Sequence, residues 1–324
     1  MKVKTDCIYF FVLLLLPILL ISQDINQTDE KIIKWMDDID AQPVSVSFKN
    51  HLPLNNKGGH LQGVQYVKYK QRDYYFLSGS SDSYSYYSVV KTGDENSVVL
   101  INKILDKPFK HAGGFQIYKN LMAIGIEDNS LKDRSKVFIY KIEDPEKQNP
   151  KPIRIIDRAG ATERATAGCV GIIEIGEYIL VVVGDWDTKH LDFYRIKTDK
   201  INDRKEPFEA VYSIDLEKED KSKWIDKIWM PYQNINFIKD SLNRLYLVGM
   251  ATNDQNENVL DLFRVETDNH MNFKIVKIHS RKFAHNEVSR FSWGAGIYLS
   301  EDNELKIFST GAHIEEKSKF NIYE

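Results

Sequence analysis

The chain has 324 residues, a formal net charge of -3, and charged residues of both signs throughout. That balance excludes the basic footprint of a nucleic-acid-binding protein, and two cysteines exclude a disulfide-stapled fold. The 16 Phe, 17 Tyr and 5 Trp, with few long helical periods, favour β-structure with aromatic-lined surfaces.

In chain order, Lys2 and Lys4 give a basic start, and an apolar run from Ile8 to Ile21 is broken only by Pro17. The polar Ser22, Gln23 and Asp24 follow at once. This layout predicts a signal peptide over 1–23 and a secreted or periplasmic protein with no membrane contact after cleavage. An uncleaved anchor is the alternative, although the run is short for a spanning helix. Cys7 precedes the run, the wrong place for a lipid-bearing cysteine. Asn26-Gln27-Thr28 is a formal glycosylation sequon. Residues 24–43 form an N-terminal segment and 44–324 the folded domain, where Cys169 is the one cysteine left. The core must therefore be large enough to hold itself together.

A repeat organises that domain. "HLQGVQYV" at His60, "HAGGFQIY" at His111, "TAGCVGII" at Thr166, "PYQNINFI" at Pro231 and "FSWGAGIY" at Phe291 align on an apolar fifth position. Their fourth and sixth positions are small or amide-bearing. The spacings are 51, 55, 65 and 60 residues, the range of a four-stranded propeller blade. Each is followed by an apolar strand ending in polar residues, such as "LMAIGIEDN" or "YILVVVGDWD". Next comes a third strand, such as "LDFYRIK" or "LDLFRVE", and in complete units a fourth. The fifth unit stops at its third strand, while "VSVSFKN" from Val44 to Asn50 occupies the place of a fourth strand before His60. The pattern predicts an all-β fold, a five-bladed β-propeller whose last blade is closed by an N-terminal strand.

In such a blade, first-strand starts, second-strand ends and third-strand starts share one face, where loops of a rigid ring carry function. That face gathers His60, Gln62, Gln65, His111, Gln116, Gln233, Asn234, Arg290 and Trp293 from first strands. From second-strand ends it gathers Glu127, Asp128, Asp185 and Trp186. Amides and imidazoles make directed hydrogen bonds to hydroxyl-rich ligands, and Trp offers a flat apolar platform. The expectation is a binding face for a polar small molecule or a carbohydrate. The competing structural reading is that a repeated His or Gln ties one blade to the backbone of the next. Trp224 and Trp229 are expected to pack rather than to contact ligand.

Catalytic templates such as G-x-S-x-G, H-E-x-x-H and G-x-x-x-x-G-K are absent. His60, His111, Glu127 and Asp185 nevertheless form a donor set that suits a divalent cation if the blades bring them together. A metal-assisted hydrolase on the same face is therefore the alternative function, and the sequence leaves catalysis open.

The strings "HAGGFQIYKNLMAIGIEDN" and "GEYILVVVGDWDTKHLDFYRIKT" resemble secreted bacterial β-propeller proteins of unassigned function. The likeness runs from about His60 to Thr198 and fades where Pro231 and Phe291 replace the histidine. It implies the fold and the export, and carries no activity or catalytic residue.

Overall fold

The computed structural model describes residues 29–268, 271–300 and 304–324. The expected signal peptide, Cys7 and the Asn26 sequon lie outside the described residues. Residues 29–38 form a helix with an i,i+4 ion pair between Lys34 and Asp38 at 2.6 Å. Among the described residues no helix is long and apolar enough to cross a membrane.

From Asp40 onward the described residues form strands joined by turns, with 3-10 turns at Trp186–Thr188 and Thr198–Lys200. The first strand, β1 (Val44–Lys49), is held aside for the end of the chain. The others pair antiparallel with their sequence neighbours. The first set is β2 (Leu61–Tyr69), β3 (Arg72–Ser80), β4 (Tyr84–Lys91) and β5 (Ser97–Asp106). The second is β6 (His111–Tyr118), β7 (Leu121–Glu127), β8 (Arg134–Lys141) and β9 (Arg154–Ala159). The third is β10 (Cys169–Ile175), β11 (Tyr178–Gly184), β12 (His190–Lys197) and β13 (Glu209–Asp215). A fourth follows in β14 (Asn234–Lys239), β15 (Leu245–Thr252), β16 (Asn258–Thr267) and β17 (Phe273–Phe283). Last come β18 (Arg290–Leu299), β19 (Leu305–Thr310) and β20 (Lys317–Tyr323), with β1 beside β20 in register Val44 to Ile322 through Lys49 to Lys317.

Local chemistry explains the hairpins. Lys70 and Gln71 both take positive φ between β2 and β3, the two-residue turn whose twist matches the flanking strands. Gly176 does the same between β10 and β11, at φ 54°. Burial separates inner from outer strands. β7 is buried at every position, as a strand covered on both faces must be, whereas the outermost β9 alternates buried and exposed.

The core lies between consecutive sets. Phe76, Tyr87 and Val89 of the first set pack with Phe115, Met122 and Ile124 of the second. Val137 and Ile139 pack with Val170 and Val181 of the third. Phe193 stacks flat on Phe273 of the fourth, centroids 4.2 Å apart. Each buried aromatic of this kind is worth about 1.5–3 kcal/mol over an exposed one. Trp224 and Trp229 pack as expected: Trp224 donates its indole N–H to the Ile275 carbonyl at 3.1 Å, and Trp229 lies edge-on to Tyr232 at 4.7 Å. Against them sits a buried polar group. The Tyr232 hydroxyl donates to Asp261, and Lys277 Nζ reaches Asp261 at 2.9 Å and Asp226 at 3.0 Å.

At the centre the first strands of the sets close on one another through side-chain amides. Gln65 accepts the Ile117 N–H at 3.3 Å and donates to Asn236 Oδ1 at 3.0 Å. Gln116 Oε1 accepts the N–H groups of Ile172 and Phe237, both at 2.9 Å, and its Nε2 donates to the Phe237 carbonyl at 2.7 Å. Asn236 accepts from Ile297 N–H at 3.3 Å and donates to the Phe115 carbonyl at 3.1 Å. All three are the sixth residue of their repeat. The other two sixth positions are Gly171 and Gly296, and a Cβ on Gly296 would collide with the Val64 carbonyl and the Gln65 amide. Amide and glycine thus divide the crowded centre between them.

Candidate functional site

The residues expected on the binding face separate into two layers. Gln65 and Gln116 are buried in the central network, with both ends of each amide engaged. That is the geometry of a tie between sets, the competing reading raised by the sequence. Asn234 is also fully buried, donating to the Gln62 carbonyl at 2.8 Å.

His60 and His111 are half-buried and His313 is exposed, whereas Gln62 is as buried as Gln65. His60 precedes β2, and its Nδ1 lies 2.6 Å from the Leu61 carbonyl, with Gln62 Nε2 at 3.2 Å from the ring. Burial lowers the His60 pKa against the opposing carbonyl, and nearby His111 and His313 lower it further. The Leu61 N–H donates to the Ala312 carbonyl at 2.8 Å, which brings the loop of His313 beside His60. Gln62 and Gln233 join directly through their side-chain amides, which links the first and fourth sets across the face.

Glu127, the last residue of β7, is fully buried. Its Oε2 accepts the Ala167 N–H at 2.8 Å. Its Oε1 lies 3.2 Å from His111 Nδ1, yet neither atom is aligned in a hydrogen bond. Behind it is Cys169, whose thiol burial pushes well above its ordinary pKa, with the negative fields of Asp185 and Glu127 adding to the shift. Asp185 accepts the His190 N–H at 2.8 Å and holds His190 Nδ1 at 2.7 Å. Burial raises its carboxyl pKa against the opposing pull of His190 and Arg164.

The remaining expected residues have other partners. Asp128 caps its own loop, accepting from Ser130 and Leu131 backbone N–H and from Arg134. Burial opposes its ionisation, but those donors prevail and lower its pKa. Trp186 carries Lys132 Nζ over its ring at 3.4 Å, so one face of that platform is taken. Arg290 lies over Trp293 at 5.1 Å and bonds Asn256 at 2.7 Å. Among the described residues no three His, Cys, Asp or Glu side chains are placed to hold a metal ion. The donor set of His60, His111, Glu127 and Asp185 is thus not gathered among the described residues: Asp185 is committed to His190, and Glu127 Oε2 to the Ala167 N–H.

Sequence reasoning passed over His190, Arg158, Arg164 and Asp192. Asp192 stands in the "LDFYR" string and Asp261 in "LDLFR", at matching places opposite Val183 and Gly249. A carboxylate inside an apolar third strand was the available signal, since a buried charge needs a partner.

No protein-family model matches the sequence, and no curated protein matches it. Solved structures do. The chain is similar to an alpha-L-arabinofuranosidase from Podospora anserina in complex with cellotriose, at TM-score 0.50 and 7% identity, covering 88% of this chain and 98% of that one. It is also similar to a GH43_1 enzyme from Xanthomonas citri complexed with xylotriose, at TM-score 0.47 and 10% identity, covering 87% and 89%. A third is the catalytic domain of a Coprinopsis cinerea GH62 alpha-L-arabinofuranosidase, at TM-score 0.47 and 10% identity, covering 86% and 96%. At such identities the likeness is one of fold. The chain has an all-β fold of the kind found in β-propeller glycoside hydrolases.

Proposed function

We propose that the chain is an exported five-bladed β-propeller, closed by its N-terminal strand, that takes a carbohydrate on the face carrying His60 and His111. The observation that supports this most is the cluster of His60, His111 and His313 with the Gln62–Gln233 amide pair over a centre that other amides have sealed. Imidazoles and amides offer both donors and acceptors, which is what sugar hydroxyls require. The structure from Podospora anserina with the same fold is in complex with cellotriose, so neutral oligosaccharides are the first probes to use.

The same face also supports hydrolysis, on account of Glu127. Glu127 reaches that face only through His111: its Oε1 is buried 3.2 Å from His111 Nδ1, so the partly exposed imidazole would meet the leaving glycosidic oxygen while Glu127 positions it. In this reading His60 and the amides hold the sugar, and Glu127 with His111 handles the proton.

Calorimetry of the full chain with cello- and xylo-oligosaccharides tests the binding. The His60→Ala, His111→Ala double variant should lose it while its melting transition stays near that of the wild type. Release of reducing ends tests the chemistry: Glu127→Gln should keep affinity and lose turnover. Failure of every oligosaccharide to bind at millimolar concentration would remove the carbohydrate reading, and undiminished turnover in Glu127→Gln would remove the hydrolytic one.

A further inference from the structure

A cleft of about 610 Å³ opens between β9 of the second set and β12–β13 of the third, apart from the histidine cluster. Two guanidiniums converge on one carboxylate there. Arg164 grips Asp192 with both terminal nitrogens at 2.5 Å, and Arg158 Nη1 reaches it at 2.8 Å. Arg158 is only 6% exposed along its side chain, and its Nε has no hydrogen-bond partner. The other carboxylates nearby are committed elsewhere. Asp157 pairs with Lys136, and Asp185 holds His190 and lies 3.9 Å from Arg164. One carboxylate thus serves two guanidiniums beside open space.

The space is kept by small residues. A Cβ on Gly160 would meet nothing nearer than Ala165 at 3.9 Å, and Ala210 is exposed on the lining of the cleft. A register shift between Phe193 and Tyr194 leaves Val211 without a partner in the β12–β13 ladder. Bulges of this kind re-aim side chains and are common beside binding sites. Tyr194 and Tyr212, both half-buried, add aromatic surface. The Tyr194 hydroxyl accepts from Arg158 at 2.7 Å, which leaves its own proton to donate. Ser213 contributes a hydroxyl held by Arg164 at 3.1 Å.

We propose that this cleft is a second binding site, for a carboxylate-bearing sugar such as a uronic acid residue. Arg164, about a third exposed along its side chain, meets the carboxylate from the edge that Asp192 leaves open, with the buried Arg158 adding positive charge behind it. The tyrosine rings and the hydroxyls meet the pyranose. This site rests on the cleft alone and stands apart from the carbohydrate reading of the histidine face.

Calorimetry of the full chain at low salt, with trigalacturonate, galactotriose and acetate as separate probes, tests it. Trigalacturonate should bind and weaken as salt rises, and acetate should bind at least tenfold more weakly. Arg164→Gln should weaken trigalacturonate at least tenfold. Ala210→Trp, which fills the cleft from an exposed position without touching the ion cluster, should do the same with an unchanged melting transition. The His60→Ala, His111→Ala variant should bind trigalacturonate as the wild type does, so loss of the face leaves this result intact. Absence of trigalacturonate binding, undiminished binding in Ala210→Trp, or equal affinity for acetate or galactotriose would each overturn the proposal.

Discussion

Gln116 and Phe237 exchange hydrogen bonds across the centre of the molecule: the Phe237 N–H donates to Gln116 Oε1 at 2.9 Å, and Gln116 Nε2 returns a bond to the Phe237 carbonyl at 2.7 Å. The two residues belong to the second and fourth sets, which are not neighbours in sequence. A second donor, the Ile172 N–H, shares the same Gln116 oxygen. Gln116→Ala would leave three buried backbone groups without partners, each costing about 1–3 kcal/mol. Urea unfolding should show a loss of about 4 kcal/mol, with a midpoint shift large enough to read at one temperature. A loss below 1 kcal/mol would mean that water replaces the amide.

Lys277→Met removes the cation from a cluster where Asp261 is fully buried and Asp226 is a third exposed. Asp261 would be left with the Tyr232 hydroxyl alone. Breaking one side of a buried pair typically costs about 3–5 kcal/mol, and thermal melting should show it. The Lys277→Met, Asp261→Leu double variant should recover part of that loss.

Asp192 controls acid stability. Burial opposes its ionisation, but Arg164 and Arg158 prevail and hold its pKa at about 2, against an ordinary value of 3.8. A carboxyl depressed on folding stabilises above its unfolded pKa and loses that contribution as pH falls through the folded one. The contribution is about 2 kcal/mol, from the size of the shift, and is lost between about pH 4 and pH 2. Unfolding free energies measured from pH 5 to pH 2 should fall in the wild type and flatten in Asp192→Asn.

The His60 pKa is lowered as well, here in favour of the neutral form. Burial first, and His111 and His313 next, lower its pKa below 6.5 despite the Leu61 carbonyl. The histidine is therefore neutral at pH 7, and the stability it contributes by staying so is present above pH 6.5 and lost as pH falls below that. Its imidazole resonances should titrate below 6.5 by NMR, and His313→Ala should move the midpoint upward. A midpoint above 6.5 would place a compensating carboxylate near His60.

Much of the fold is legible in the repeat. The apolar fifth positions, from Val64 to Ala295, are all buried, and the strand strings quoted from the sequence pair with one another as the repeat implies. The role of the sixth position was not legible. Gln65 and Gln116 read equally well as ligand contacts or as ties, because an amide looks the same whether it faces a sugar or a backbone N–H. The donors that engage Gln116, Ile172 and Phe237, come from 56 and 121 residues away. The ion cluster at Asp192 was hidden for the same reason, since Arg158 and Arg164 precede it by 34 and 28 residues with no local periodicity.

The pairing of β1 with β20 also sets a timetable. Val44 meets Ile322, a separation of 278 residues, so until nearly the whole domain has been made β1 has only its single parallel bridge from Lys49 to Ser97 of β5. Loop closure over such a span is slow, and an unpaired strand edge is exposed to other chains in the meantime. Its sequence tempers the hazard. "VSVSFK" alternates Val with Ser and ends in Lys, so the waiting strand offers a rival sheet a half-polar edge rather than a continuous apolar one.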